Sequence, residues 1–133
     1  MREYHIPDLV DRPEPRSLIV SSGDQFKDAT LPPVLATPVM IMAMENAALN
    51  ALKPYLEPGE IALGTAVNVR HLAATPLGQR IVAEAEVTGV ERRRIAFKVT
   101  ARDEREEIGH GTHERVIVAL SRIKDRLAAK SRG

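Results

Sequence analysis

The sequence predicts an α+β domain in which an antiparallel sheet of about five strands wraps around one central buried helix. Two observations predict this fold: one helical segment is apolar nearly all round, and several later segments alternate apolar and polar residues with a period of two. An apolar helix has to be covered, and strands with one apolar face are able to cover it. The length of 133 residues suits a single domain over residues 1–133.

The composition narrows the classes of function. The chain has 19 basic and 18 acidic residues, and this balance gives no general attraction to nucleic acids or to anionic membranes. It has no cysteine, which excludes a thiol nucleophile and cysteine-based metal sites and agrees with a reducing compartment. The sequence shows neither an apolar stretch long enough to span a bilayer nor a signal peptide. We therefore expect a cytoplasmic protein without a metal, a nucleic-acid partner or a membrane partner.

Residues 1–36 are irregular and rich in proline, with one β-like run at Ser17–Ser21. Proline has no backbone N–H to donate to a sheet, so this composition favours an edge strand joined to loops. Long loops in small domains are often functional, and we expect an N-terminal edge strand with a lid-like segment. An ordered wrap over the surface fits the same composition.

The central helix is predicted to begin at Thr37, a good N-cap, followed by Pro38 as a good first helical residue. Apolar residues then continue almost without interruption to Leu52. Pro54 and the Pro58-Gly59 pair end the helix. A helix with this composition is expected to be buried on most sides.

Four strand-like segments follow the helix, at Ile61–His71, Arg80–Val90, Arg93–Asp103 and Ile108–Leu120. Alternation predicts three inward faces: Ile61, Leu63, Thr65, Val67, Val69 and His71 in the first strand; Ile81, Ala83, Ala85 and Val87 in the second; Ile95, Phe97, Val99 and Ala101 in the third. Alternation weakens near Gly109 and Gly111, which suggests a bulge. The last segment, Ser121–Lys130, fits either a strand extension or a short polar helix.

One helix and about five such strands form the hot-dog architecture. A single sheet of this kind leaves an edge strand exposed, and exposed edges pair with other strands. Dimerisation into a continuous sheet would cover that edge.

Glu45 and His71 are polar residues at positions that the predicted fold makes apolar. Glu45 has no Lys or Arg near it on the helix, and a buried unpaired carboxylate is costly, so such a group indicates a functional site. A position at the rim, or a hydrogen bond to the backbone, is the plainer alternative. His71 continues an inward face and is able to act as a general base, although a lone histidine at such a position is more often a satisfied core residue. A Glu45–His71 pair, within one subunit or across a dimer, would favour the catalytic interpretation.

Thr37 is the third candidate residue, because an N-cap hydroxyl and the first helical amides surround a partial positive charge. A carbonyl group placed there would be polarised as in an oxyanion hole, while a plain helix cap is the alternative. Thr37 and Glu45 are ~12 Å apart along the helix axis, which leaves room for a substrate and a water. His110 and His113 fall on opposite faces of a strand, so we expect no shared metal site.

Several blocks of the sequence resemble the fluoroacetyl-CoA thioesterase branch of the hot-dog thioesterases, over roughly Val34 to Leu120. The blocks are Leu35–Glu45, Pro54–Glu60, Leu63–Thr65, Val69–Pro76 and Glu107–Arg115. The resemblance implies an enzyme that hydrolyses an acyl-CoA thioester to free acid and CoA, with no cofactor because coenzyme A is part of the substrate. It also implies a homodimer, or a higher assembly, with active sites at the subunit interface. The family's catalytic threonine, glutamate and histidine fall on Thr37, Glu45 and His71, and its substrate-contacting glycine and arginine fall on Gly64 and Arg115.

The sequence departs from this branch just before Thr37. The fluoroacetyl enzyme has aromatic gating residues there, whereas this chain has Asp28–Leu31 and only Phe26 nearby. We therefore expect a short-chain acyl-CoA substrate without carrying over selectivity for fluorine. The alternatives are a hot-dog hydratase or dehydratase that acts on enoyl- or hydroxyacyl-CoA, and a non-catalytic acyl-CoA-binding module.

Overall fold

An antiparallel sheet packed against one helix forms the protein in the computed structural model, which describes residues 16–19 and 34–132. In chain order the elements are β1 (Arg16–Ile19), α1 (Thr37–Leu52), a 3₁₀ turn (Lys53–Tyr55), β2 (Glu60–His71), β3 (Arg80–Glu91), β4 (Arg94–Arg102), β5 (Glu107–Ala119) and α2 (Leu120–Arg132). The spatial order is β1-β3-β4-β5-β2, so four long strands are flanked by the short β1. This confirms the predicted antiparallel sheet on one helix.

The two edges of the sheet differ in length. The edge strand expected near the N-terminus is the four-residue β1, and the rest of the predicted lid-like segment lies outside the described residues. The opposite edge is the twelve-residue β2, which, within residues 16–19 and 34–132, pairs only with β5. A long unpaired edge is a surface on which a further strand is able to add.

The core lies between one face of α1 and the inward faces of β3 and β4. The buried helix residues are Val39, Met40, Ala43, Met44, Ala47, Ala48, Ala51 and Leu52. The inward residues predicted for β3 and β4 are all buried, at most 1% exposed. Because many residues on both sides are alanine, the helix lies close to the sheet and the space between them is filled.

The predicted burial of α1 on most sides is wrong for the single chain. Met42 is 48% exposed and Asn46 is exposed as well. One sheet covers only one side of a helix, so the opposite apolar side stays uncovered within one chain.

The predicted N-cap is also wrong by one residue. Ala36 has the extended backbone of a cap, and its carbonyl accepts hydrogen bonds from the amides of Val39 and Met40. Thr37 is therefore the first residue of α1, and no side-chain hydrogen bond caps the helix. Residue propensity predicts the region where the helix begins, but the hydroxyl of Thr37 contacts His71 and does not cap the helix.

A one-residue bulge interrupts β2 at Thr65. Gly64 pairs with Arg115 and Ala66 pairs with Glu114, which leaves Thr65 as the extra residue. The Thr65 hydroxyl donates to the Glu114 carboxylate at 2.6 Å and contacts the Glu114 carbonyl at 3.2 Å. These contacts hold the extra residue in place.

The bulge changes which residues of β2 face α1. Ala62 and Gly64 face inward before it, whereas Val67 and the alternate residues up to His71 face inward after it. The predicted single face is therefore wrong for Ile61, Leu63 and Thr65, because uninterrupted alternation was assumed across the bulge.

The irregularity predicted near the glycines of β5 lies at Ile108, which the pairing with β4 skips. Gly109 and Gly111 themselves pair with β2 in unbroken register. A Cβ on Gly111 would collide with the Asn68 carbonyl, and a Cβ on Gly109 would lie 2.6 Å from the Met40 sulfur. Glycine is needed here because other backbone and side-chain atoms approach closely.

The last segment of the chain is a helix, which settles the alternative left open for Ser121–Lys130. All of α2 is exposed except its first residue and Ile123, which are half-buried. Among the described residues, no helix is long and apolar enough to cross a bilayer.

Candidate functional site

The first group of candidate residues joins the start of α1 to the end of β2. The Thr37 hydroxyl lies 2.8 Å from His71 Nδ1, within hydrogen-bond distance. His71 Nε2 is buried and has no hydrogen-bond partner among the described residues. The pair lines a cleft of ≈ 500 Å³, together with apolar residues that include Leu35 and Leu72. The contact with Thr37 therefore fixes the orientation of the imidazole ring through Nδ1.

The second group lies further along α1 and β2 and includes Glu45, Gly64 and Arg115. Glu45 Oε2 lies 4.0 Å from Arg115 Nη1. A Cβ added to Gly64 would lie 3.5 Å from that carboxylate oxygen and 3.6 Å from that guanidinium nitrogen. Gly64 therefore leaves an opening beside two opposite charges, and a small polar group fits such an opening.

Glu45 differs from its predicted environment. Its side chain is 41% exposed, and its partner is an arginine from β5 rather than a residue of its own helix. The sequence argument considered only basic residues near Glu45 on α1, so it did not detect a partner 70 residues away in the chain. Glu45 is thus a half-exposed carboxylate held beside a cation.

Arg115 is buried, with 9% of its side chain exposed. Its Nη2 donates to the Ala62 carbonyl at 2.8 Å, and its Nη1 lies 3.2 Å from His113 Nε2. Burial lowers the pKa of the guanidinium, and the Glu45 carboxylate opposes that shift. The group nevertheless stays protonated, because arginine does not lose its proton in proteins.

The sequence analysis did not identify His113 as a site residue. The residue is 3% exposed, its Nδ1 lies 2.8 Å from the Ala66 carbonyl, and its ring stacks on Phe97 at a centroid distance of 5.9 Å. It lies two positions before Arg115 on the same inward face of β5, and this spacing is the signal that would have found it.

His110 lies on the other face, half exposed beside Glu107 at 3.3 Å, as the i,i+3 spacing predicts. Residues 16–19 and 34–132 contain no cluster of three or more metal-ligating side chains.

The two groups lie apart within one chain. Thr37 and Glu45 are ~12 Å apart along α1, and Gly64 and His71 are roughly 20 Å apart along β2. His71 bonds to Thr37 and Glu45 lies beside Arg115, so the expected Glu45–His71 pair does not form within the chain. Each group therefore holds only part of the predicted set of site residues.

Residues 21–121 match the family described as fluoroacetyl-CoA-specific thioesterase. The chain belongs to this family. A curated relative, the fluoroacetyl-CoA thioesterase of Streptantibioticus cattleyicolor, is 46% identical over 103 residues, which are 77% of this chain and 74% of the relative.

Solved structures agree with this family assignment. The fluoroacetyl-CoA thioesterase FlK superposes with a TM-score of 0.82 at 38% identity, over 90% of this chain and 94% of FlK. A thioesterase superfamily member from Thermus thermophilus superposes with a TM-score of 0.85 at 27% identity, over 91% of each chain. The hot-dog fold and the thioester hydrolase class are thus confirmed, and the hydratase and binding-module alternatives are not favoured.

We predict that His113 makes the protein less stable as the pH falls below neutral. Burial lowers its pKa below the ordinary value of 6.5, with a further contribution from Arg115, while the Ala66 carbonyl, Glu45 and Glu114 oppose the shift. The unfolded chain therefore binds a proton at higher pH than the folded one. The stabilisation is fully present above pH 6.5 and is lost as the pH falls through the lowered folded value.

Urea unfolding between pH 7 and pH 5 measures this slope. The His113→Gln variant is expected to show a shallower slope than the wild type, and the His110→Gln variant, on the opposite face, is expected to keep the wild-type slope. An unchanged slope in His113→Gln would contradict the prediction.

Proposed function

We propose that this thioesterase hydrolyses a short-chain acyl-CoA to the free acid and CoA at a site shared between two subunits. Thr37, Glu45 and His71 are the proposed catalytic residues, and Gly64 and Arg115 are proposed to contact the substrate. The observation that carries the proposal is the division of these residues into two incomplete groups, each at one end of the unpaired edge of the sheet.

The proposed acyl group is short. We do not propose that the enzyme selects a fluorinated acyl group. The Streptantibioticus cattleyicolor relative is a fluoroacetyl-CoA thioesterase, and FlK has been solved with acetyl-CoA and with fluoroacetate and CoA. The gating segment of this chain, Asp28–Leu31 with Phe26 before it, lacks the expected aromatic residues and lies outside the described residues. A two-carbon or similarly small acyl group therefore agrees best with the relatives.

A homodimer formed along β2 would complete the site. Four large apolar side chains stay exposed on β2, beside its end and on α1: Met42, Leu63, Val67 and Leu72, between 38% and 51%. Three of them lie on β2 or beside its end, and Met42 lies on α1. Among the described residues, the backbone groups of β2 are unpaired on one side. Pairing of β2 with the β2 of a second copy would cover both the polar edge and these side chains.

We propose a two-fold axis at Asn68, and the register of β2 on β5 supports it. Gly64 pairs with Arg115 and His71 pairs with Gly109, and Thr112, midway between these two partners, pairs with Asn68. A two-fold axis at Asn68 would therefore bring Gly64 of one chain to the level of the partner's His71.

The spacing of the proposed residues on the helix agrees with the same axis. Ile41 lies midway between Thr37 and Glu45, next to the exposed Met42. The same axis, passing near Ile41, would bring Glu45 of one chain towards the partner's Thr37.

The chemistry of hydrolysis then follows from the assembled groups. Arg115 and the opening at Gly64 would hold the polar part of the substrate, and Thr37 would hold His71 with Nε2 directed at it. His71 would take a proton from water or return one to the leaving thiolate. Glu45 would either orient His71 and favour its charged form or attack the thioester carbonyl, and attack would release CoA thiolate and form an anhydride that water then hydrolyses.

Coenzyme A is part of the substrate, and the proposed mechanism uses no cofactor. A higher assembly of dimers is compatible with the same site. We also place the enzyme in the cytoplasm, on the basis of its sequence composition alone.

Release of free thiol from a panel of acyl-CoAs tests the proposed activity. We expect turnover with acetyl-CoA or a similarly short acyl-CoA, and a loss of at least about a hundredfold in Glu45→Gln and His71→Ala, because each removes a proton-transfer or nucleophilic group. A mass increase on Glu45 in rapidly quenched His71→Ala would identify the covalent route. Consumption of enoyl-CoA without thiol release would favour a hydratase instead, and tight binding without turnover would favour a binding module.

Mixed dimers test whether the site is shared. We expect co-expression of Glu45→Gln with His71→Ala to restore about one quarter of wild-type activity, since half of the dimers are mixed and each mixed dimer holds one intact site of two. Thiol release by the purified mixture measures this restoration.

The matched control places both substitutions in one chain and pairs that chain with the wild type. A shared site makes this purified heterodimer inactive, because each of its two sites then has one defect. A site contained in one chain would leave the heterodimer half active, and the co-expressed single variants would not recover.

A further inference from the structure

We propose that His113 is a positioning residue of this thioesterase: as a neutral ring, it accepts a hydrogen bond from Arg115 and holds the guanidinium beside Glu45 and the opening at Gly64. The inference rests on the proposed roles of Glu45 and Arg115 in the hydrolysis. It adds a residue that neither motif spacing nor the family resemblance assigned to the site.

The partners of His113 determine its protonation state. The Ala66 carbonyl is only an acceptor, so Nδ1, 2.8 Å away, carries the proton and donates it. Arg115 is only a donor, so Nε2, 3.2 Å from Nη1, is unprotonated and accepts. A charged imidazolium would have no acceptor to offer Arg115. Both contacts therefore require one neutral tautomer.

Two neutral acceptors fix the guanidinium. Arg115 Nη2 bonds to the Ala62 carbonyl at 2.8 Å, and Nη1 bonds to His113 at 3.2 Å while lying 4.0 Å from Glu45 Oε2. Because neither close acceptor is an anion, the positive charge is oriented without being neutralised by them. The charge is therefore available to Glu45 and to any anionic or polarised group beside Gly64.

His113 is suited to act through Arg115 rather than on the substrate. It is 3% exposed, and both ring nitrogens have partners. The side of its ring at Cε1 lies close to Gly64, since a Cβ there would approach that atom to 3.3 Å.

The side chain of His113 is surrounded by groups from β2, β4, β5 and α1. The charged groups that act on it are Arg115 and Glu114 of its own strand and Glu45 of α1, while Phe97 of β4 and the Ala66 carbonyl of β2 are uncharged. The contact through which His113 would act on Arg115 is the acceptor at Nε2, so a test has to remove that acceptor and keep the packing of the side chain.

Two substitutions separate the acceptor from the packing. In His113→Leu the residue keeps its bulk but has no acceptor, whereas in His113→Gln an amide oxygen reaches about the position of Nε2. We expect His113→Leu to lower kcat/KM with acetyl-CoA about tenfold or more, and His113→Gln to recover most of that loss. If His113 acts through Arg115, the loss in His113→Leu and the loss in Arg115→Met are expected to appear in the same kinetic parameter, either kcat or KM. His110→Leu, on the opposite face of β5, is the matched control and is expected to retain wild-type kinetics.

A double-mutant cycle tests whether the effect passes through Arg115. In the Arg115→Met background, His113→Leu is expected to add less than about a twofold further loss, because the donor is already absent. Independent, multiplying losses would overturn the proposal. The proposal would also be overturned if kcat/KM fell equally in His113→Leu and His113→Gln, in proportion to their decrease in the free energy of unfolding.

Nitrogen-15 NMR of the arginine side chains gives a readout that does not depend on activity. Anchored Nη1 and Nη2 of Arg115 are expected to give separate signals in the wild type and in His113→Gln, and averaged signals in His113→Leu. Signals that stay separate in His113→Leu would contradict the positioning role. If no acyl-CoA were hydrolysed by the wild type, the proposed function would fail, while the NMR comparison would still decide how Arg115 is held.

Discussion

The one-residue bulge at Thr65 is the constraint on which the arrangement of the site depends. Gly64 and His71 are an odd number of residues apart, so in a regular strand their side chains would point to opposite faces. With Thr65 as an extra residue, both positions face α1 and their β5 partners are an even number apart. The same bulge precedes Ala66, whose carbonyl holds His113. A local irregularity in β2 thus places both groups of site residues on one face.

The positive charge of Arg115 is held by neutral hydrogen-bond acceptors within the chain. Arg115 is buried against a backbone carbonyl and a neutral imidazole, and Glu45 is the nearest anion at 4.0 Å. A buried cation normally requires a compensating anion or several hydrogen bonds, and here two hydrogen bonds and the Glu45 carboxylate together supply that compensation. The carboxylate itself is half exposed.

Much of the fold follows from the sequence, because alternation and apolar content report burial directly. The inward faces of β3 and β4 are correct in full, and all four long strands end within one residue of their predicted limits. The bulge at Thr65 was not predicted, because the period-two alternation of the sequence continues through Thr65 without a visible break. The pairing of Glu45 with Arg115 was not predicted either, because that contact depends on a register between α1 and β5 that composition does not encode.

The dimer axis at Asn68 is the central claim, and one cysteine tests it directly. The chain has no cysteine, and Asn68 is exposed on the edge strand. In the Asn68→Cys variant the two thiols would face each other across the axis, at about the separation of cross-strand neighbours, so mild oxidation is expected to give a covalent dimer that retains thioesterase activity. Lys98→Cys, exposed in the middle of the sheet, is the control. A crosslink no more efficient at position 68 than at position 98 would contradict the account.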